Sequence, residues 1–183
     1  MLKRFFGGPD VANPRSDSVY AGIVALARRP WLYSRAGVPD TVSGRFDMIV
    51  LHLALVLERL RDGGPAAQVF SQALLETMFA DMDRNLREMG VGDLSVAKRM
   101  RTMASVHYGR AIAYREAFAG VDPPAAVAQV LARNLFPAGT PPTADMALLA
   151  DHAIAFRAAL AAIPVEEVAN GILPDLATVE ERG

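Results

Sequence analysis

A chain of 183 residues with 52% hydrophobic and 21% charged residues has the length and composition of one compact globular domain, which excludes the disordered and fibrous classes. The net charge of -1 gives no reason to expect DNA as a partner, and the absence of cysteine excludes disulfides, thiolate metal sites and a cysteine nucleophile. The charge is uneven, with 6 Lys and Arg against 3 Asp and Glu in residues 1–43 but 3 against 8 in residues 120–183, which suggests that different faces meet different partners.

Residues 1–15 are expected to form a flexible N-terminal segment before a single helical domain over residues 16–183. The segment Met1–Phe6 begins like a signal peptide, but Gly7, Gly8 and Pro9 follow before an apolar core region can form. Secretion is therefore not expected. The same segment could touch a membrane surface, although one short segment binds weakly and a frayed terminus is the favoured interpretation.

Helical periodicity dominates the chain, because apolar residues recur three and four positions apart in long segments without Gly or Pro. The predicted fold class is all-α: a single-domain irregular helical bundle with three long central helices and shorter flanking ones. The predicted helices are, in chain order, Ser16 to Arg29, a short turn at Trp31–Tyr33, Ser43 or Gly44 to Arg61, Pro65 to Met89, Asp93 or Ser95 to Ala119, Pro124 to Leu135, a helix capped by Thr143 and halted at Pro164, Val165 to Asn170, and Asp175 to Glu180. The most apolar run, Met48 to Leu57, is too short to cross a bilayer and is predicted to be a core helix.

Three histidines, His52, His107 and His152, lie on different predicted helices. A bundle could bring them together with Glu58 or Asp151 as a metal site. None of them has a carboxylate or histidine three or four positions away on the same helix face. We therefore interpret them as surface or core histidines and predict no metal, no cofactor and no catalytic residue.

An acidic pair, Asp81 and Asp83, provides the alternative function. Paired carboxylates on an all-α scaffold are typical of isoprenoid-handling enzymes, so the alternative is an all-α enzyme of isoprenoid or quinone metabolism that uses this pair with Mg²⁺. The spacing favours another interpretation, because Arg84 and Arg87 lie three and four positions away and can neutralise the carboxylates along a solvated face. A second acidic motif and the common catalytic motifs are missing, and no enzymatic activity is predicted.

Five of the eight methionines lie on the two helices that flank the turn Gly90–Leu94, namely Met78, Met82, Met89, Met100 and Met103. Thioether side chains suit a surface that accepts varied apolar partners. Stripes at helical spacing more often fill a core, and core packing is the interpretation that we favour.

A basic band follows on the next predicted helix, with Tyr108 among its members Lys98, Arg99, Arg101, Arg110 and Arg115. Such a band could meet anionic lipid, ribosomal RNA or an acidic protein face. An ordinary solvated helix face is the other interpretation. A membrane-peripheral scaffold held by this band and the amino terminus is a third functional hypothesis.

Several segments in the middle of the chain carry a family resemblance: Gly37–Thr41, Gly44–Met48 leading into Leu51 and His52, Asp81–Asp83 with Leu86–Val96, Tyr108–Ala111, and Ala113 with Tyr114. Together they resemble the ubiquinol–cytochrome c chaperone family. The resemblance covers about residues 16–119, and the block from Asp81 to Val96 is its most specific piece. The residues after Gly120 match less well.

The resemblance implies a non-catalytic helical assembly factor for ubiquinol–cytochrome c reductase, the cytochrome bc complex of the respiratory chain. Mitochondrial members of the family bind newly made cytochrome b near the ribosome, together with a partner chaperone. The expected partners are therefore cytochrome b or other subunits of the complex, a second assembly factor, and the ribosome or an anionic membrane surface, but not DNA. A bacterial, cytoplasmic protein that is peripheral at the inner face of the cytoplasmic membrane is expected, because the chain is short and has no Arg/Ser-rich transit peptide.

A partner-binding surface is predicted on the matching block and the basic band, formed by Met82, Arg84, Leu86, Arg87, Met89, Lys98, Arg99, Arg101 and Tyr108. A factor that shields transmembrane segments needs an apolar, adaptable groove, and a methionine-bearing hairpin beside a basic band fits that need. The competing interpretation of the block is fold maintenance, in which capped helix ends, a glycine turn and internal ion pairs produce the same residues.

Overall fold

The structure is a computed structural model that describes residues 14–136 and 144–175. Within these ranges the chain forms α-helices and no strand, which confirms the predicted all-α class. The helices are, in chain order, α1 (Pro14–Ala27), α2 (Pro30–Ser34), α3 (Val42–Arg61), α4 (Gly64–Glu88), α5 (Asp93–Ala119), α6 (Pro123–Leu135), α7 (Met146–Ala162) and α8 (Val165–Ala169). The three long helices are α3, α4 and α5, as predicted.

Helix α3 lies at the centre of the bundle. Every residue from Met48 to Val56 is buried, so this helix has no continuous polar face over two and a half turns. Helices α1, α4, α5 and α7 pack around it. A helix that is apolar all round must be covered on several sides, and this requirement organises the fold. Within the described ranges, helix length and hydropathy together never reach what a bilayer crossing requires.

The turn before α3 requires a glycine. Thr41 is the N-cap residue, and its side-chain oxygen accepts a hydrogen bond from the Gly44 N–H at 3.1 Å. The Thr41 N–H donates to the Pro39 carbonyl at 2.8 Å, which folds the turn back onto the first turn of α3. A Cβ atom at position 44 would lie well inside van der Waals contact of the Pro39 carbonyl oxygen. The close approach of two backbone segments therefore explains this glycine.

We expect Gly44→Ala to lower the free energy of unfolding by about 1–3 kcal/mol, because the added methyl group must push the Pro39 turn away from α3. Urea unfolding followed by circular dichroism measures the change. Gly109→Ala is the matched control, since Gly109 lies inside α5 with open space around it. Removing an interior helical glycine there should stabilise the protein by about 0.5–1 kcal/mol. Equal stability of the two variants would contradict the explanation.

The start of α7 differs from the prediction. Asp145 is its N-cap residue, and its carboxylate accepts a hydrogen bond from the Leu148 N–H at 2.9 Å. The prediction that Thr143 caps this helix is therefore wrong. Threonine and aspartate can both cap a helix, and the residue directly before the first turn of α7 is Asp145. Thr143 itself lies outside the described residues, as do residues 1–13 and residues 176–180 of the predicted last helix.

Candidate partner-binding surface

A charged clamp closes the α4–α5 hairpin at its turn. Arg87 donates to the Asp83 carboxylate at 2.6 Å and, across the turn, to the Asp93 carboxylate. The Arg84 guanidinium lies 3.5 Å from the carboxylate of Asp81. These contacts confirm the ion pairs expected from the spacing. Both α4 arginines of the predicted partner-binding surface therefore have carboxylate partners within the chain, and both remain exposed.

The carboxylates of the acidic pair, Asp81 and Asp83, contact side chains of the same chain. The Tyr20 hydroxyl of α1 donates to the Asp81 carboxylate at 3.0 Å, and burial, followed by the charge of that carboxylate, raises the pKa of Tyr20 well above its usual range. Asp83 pairs with Arg87 instead. No group of three or more possible metal-ligating side chains occurs in residues 14–136 and 144–175. The structure therefore gives no support to the magnesium-enzyme alternative, because its carboxylates bind neighbouring side chains.

The methionine stripes lie inside the protein. Met78, Met82 and Met100 are buried, and so is Leu86 on the same helix as the first two. This arrangement confirms the favoured interpretation that these methionines pack in the core. Met82 and Leu86 consequently leave the candidate surface, because their side chains hold α4 against the bundle. Met89, at the end of α4, differs in being 56% exposed.

An apolar and basic stripe runs along the outer face of α5. Leu94 is 92% exposed, Tyr108 is 69% exposed and Ile112 is 38% exposed, which is unusual for large apolar side chains. Their spacing of fourteen and four residues places them on one side of the helix, and Lys98 and Arg101 fall on the same side. We call these five residues the α5 stripe.

The cations of this part of α5 lack carboxylate partners in the described chain. Lys98, Arg99, Arg101 and Arg115 make no ion pair and donate no side-chain hydrogen bond there, in contrast to the arginines of α4. All four are exposed. The helix therefore presents positive charge that is not neutralised within the described part of the molecule, directly beside exposed apolar side chains.

Arg110 belongs to the core rather than to the basic band. Its guanidinium donates to the Asp47 carboxylate of α3 and to the Asn134 carbonyl of α6, the latter at 3.4 Å. The Asn134 amide donates in turn to the Tyr114 hydroxyl at 3.2 Å. Asp47 and Tyr114 are buried, so this network joins α3, α5 and α6 in the interior. Three residues of the family-like segments, Asp47, Arg110 and Tyr114, thus maintain the fold.

Two of the three histidines meet in the core. The Nε2 atoms of His52 and His152 lie 2.9 Å apart, and His52 Nδ1 lies 2.8 Å from the Met48 carbonyl oxygen. Because a carbonyl only accepts, Nδ1 of His52 carries its proton, and Nε2 of His52 accepts from the Nε2–H group of His152. His107 lies apart, edge-on to Phe79. The histidines are therefore core residues, and the direct hydrogen bond leaves no space for an ion between the first two.

Comparisons with known proteins find similarity to one group. The family model described as ubiquinol-cytochrome C chaperone matches residues 34–176. The chain is 25% identical over 103 residues to the ubiquinol-cytochrome-c reductase complex assembly factor 1 of Xenopus laevis, covering 56% of this chain and 50% of that protein. It is 26% identical over 90 residues to the factor of the same name from Mus musculus, covering 49% of this chain and 30% of that protein. The chain thus matches half or less of the length of these relatives.

A solved structure is similar over nearly the whole length. The crystal structure of the Cbp3 homolog from Brucella abortus superimposes with a TM-score of 0.80 and 34% identity, covering 99% of both chains. The family match extends past Gly120, into the part of the chain with the weaker sequence resemblance, and includes α6, α7 and α8. Because the family model matches residues 34–176, this chain belongs to the ubiquinol-cytochrome C chaperone family.

Proposed function

We propose that this chain is a non-catalytic assembly factor for ubiquinol–cytochrome c reductase, and that it holds newly made cytochrome b or another subunit of that complex through the α5 stripe. Family membership and the names of the relatives support the assembly role. The observation that carries the binding surface is the stripe itself, in which large exposed apolar side chains lie beside cations without carboxylate partners in the described chain.

The chemistry of the stripe suits a protein client. Exposed apolar side chains grouped on one face mark interaction sites, and tyrosine and arginine are enriched among the residues that dominate binding energy. Burial of Leu94, Tyr108 and Ile112 would supply affinity, while Lys98 and Arg101 would steer an acidic segment towards the helix. A helix face of this length accommodates an extended or helical segment of the client.

Further partners are part of the same proposal. A second assembly factor and contact with the ribosome or an anionic membrane surface follow from the family resemblance, and the cations of α5 would attract each of them. A cytoplasmic location with peripheral contact at the inner face of the membrane follows from the same resemblance. We expect these partners to use the cations of α5, because the arginines of α4 already have carboxylate partners.

Charge reversal on the stripe tests the proposal. We expect Lys98→Glu combined with Arg101→Glu to lower haem-loaded cytochrome b and ubiquinol–cytochrome c reductase activity at least severalfold in a strain that lacks the native gene. The reason is that the reversed charges repel an acidic client and slow its capture. Reduced-minus-oxidised difference spectra and activity assays of isolated membranes measure both quantities.

The matched control changes the net charge equally on another face, by Arg28→Glu combined with Arg133→Glu. Both arginines are exposed. Arg28 lies between α1 and α2, and Arg133 lies on α6, so neither belongs to the stripe. This control should support normal assembly. Normal cytochrome b in the strain without the gene would refute the assembly role, whereas normal cytochrome b with the Lys98 and Arg101 variant alone would refute the binding surface.

A further inference from the structure

A small pocket opens between α3 and α5, next to the α5 stripe. Its volume is about 140 Å³. Six residues line it: Ala54, Leu57, Glu58, Arg61, Ala111 and Arg115. A pocket of this size is well below the roughly 300–1,000 Å³ of sites that hold cofactors and other small molecules. It matches one large side chain of a peptide instead.

The pocket exists because alanines face each other where α3 and α5 pack. Ala54 is 6% exposed and forms part of the core, and Ala111 and Leu57 pack partly buried against that core. The floor is therefore apolar. Ile112 follows Ala111 in the chain, and Tyr108 lies one helical turn earlier, so the apolar floor continues onto the exposed part of the α5 stripe.

The rim of the pocket has an uncompensated positive charge. The Glu58 carboxylate accepts a hydrogen bond from Arg157 at 3.2 Å, and Arg61 lies 3.5 Å from the carboxylate of Asp62. Arg115 has no carboxylate partner within the described residues. A ligand whose apolar part occupies the pocket therefore binds most tightly if it also places a negative charge beside Arg115.

We propose that this pocket anchors an acidic amphipathic helix of a partner protein, which inserts one large apolar side chain between α3 and α5 and pairs a carboxylate with Arg115. This inference rests on the proposed function, because it assigns the anchor point for the client of the α5 stripe. A helix that docks in this way carries apolar side chains three and four residues apart. Successive side chains of the partner helix would contact Tyr108, contact Ile112 and enter the pocket. A buried anchor side chain in such a pocket supplies a large share of the binding energy.

A second copy of this chain is a poorer occupant. In a two-fold dimer, the same patch of both subunits meets itself. The patch would place Lys98, Arg101 and Arg115 opposite the same cations of the other copy, with like charges facing each other. A partner of opposite charge avoids this repulsion.

Two variants test the pocket separately from its surroundings. Ala111→Phe fills the pocket and leaves every cation in place, whereas Arg115→Glu reverses the charge at the mouth and leaves the pocket open. The probe is cytochrome b synthesised in a cell-free translation system with the purified full-length chain, and recovery by immunoprecipitation is measured. We expect each variant to reduce recovery about tenfold or more, the loss that follows when an anchor contact is removed. Ala80→Phe, at an exposed position of α4, is the matched control and should recover cytochrome b normally.

The outcomes separate the pocket from the proposed function. Undiminished recovery with Ala111→Phe, while Lys98→Glu with Arg101→Glu loses it, overturns the pocket and retains the assembly role. Failure of the unmodified chain to recover cytochrome b overturns cytochrome b as the client and the pocket with it, whereas the assembly role is tested by the strain without the gene. A dimer in sedimentation velocity that Ala111→Phe dissociates overturns the acidic helix in favour of a second copy. Thermal unfolding of Arg115→Glu provides the folding check, because this residue is exposed.

Discussion

Arg110→Met is expected to lower the free energy of unfolding by about 3–5 kcal/mol, the cost of leaving one member of a buried ion pair without its partner. The Arg110 guanidinium pairs with the Asp47 carboxylate, and Asp47 is only 2% exposed. The same substitution removes a donor from the Asn134 carbonyl of α6. Urea unfolding at neutral pH measures the loss, which should be among the largest for any single substitution outside the apolar core.

The destabilisation should grow as the pH rises. Burial raises the pKa of Asp47 to about 6, against the opposing charge of Arg110, and the pKa will rise further when that charge is removed. A group whose pKa is higher in the folded than in the unfolded chain contributes stability at low pH and loses it as the pH rises through the folded value. The stability difference from the unmodified chain should therefore be smallest near pH 4 and largest at pH 8.

A second variant isolates the ion pair from the packing. Asp47→Leu combined with Arg110→Met replaces both charges with apolar side chains, and such replacements are often neutral. We expect the double variant to be clearly more stable than Arg110→Met alone at pH 8. A double variant that is less stable than the single one, or a single variant with a pH-independent loss, would show that packing rather than charge dominates at this site.

The helices of this chain follow from local patterns, whereas the contacts between them do not. Gly63, Gly64 and Pro65 separate α3 from α4, and Gly120 ends α5, so the bounds of the long helices agree with the prediction to within one or two residues. The pairing of Asp47 with Arg110 spans 63 residues. The sequence around each residue does not distinguish it from an exposed charged residue. No spacing rule shows which buried carboxylate pairs with which cation.

The candidate surface was only partly predictable for a related reason. Periodicity identifies the residues that share one face of a helix. When two faces contain apolar residues, it does not show which face packs against the rest of the protein. On α4 this left Met82 and Leu86 on the predicted surface although they are buried. On α5 the exposed Leu94 and Ile112 were missed, although both lie off the stripe that includes the buried Met100. That offset is the signal in the sequence that could have found them.

Buried neutral histidines should make the fold sensitive to acid, and this is the second large effect that we expect. Burial lowers the pKa of His52 and His107 to about 4, and burial together with the neighbouring His52 lowers that of His152 to about 3. In the unfolded chain histidine titrates near pH 6.5. Between about pH 6.5 and pH 4 the unfolded chain therefore binds more protons than the folded chain, so the free energy of unfolding falls as the pH falls.

Asp47 acts in the opposite direction, since its raised pKa favours the folded state as the pH falls through about 6. Three histidines outweigh one carboxyl group, and the net result should be a urea midpoint that decreases steadily from pH 7 to pH 4. His107→Leu removes one titrating group without touching the hydrogen bond between His52 and His152, so it should flatten this decrease while leaving most of it in place. A midpoint that stays constant from pH 7 to pH 4 would mean that the histidines take up protons equally in both states. That result would be incompatible with their burial against Phe79, Trp31 and Phe156.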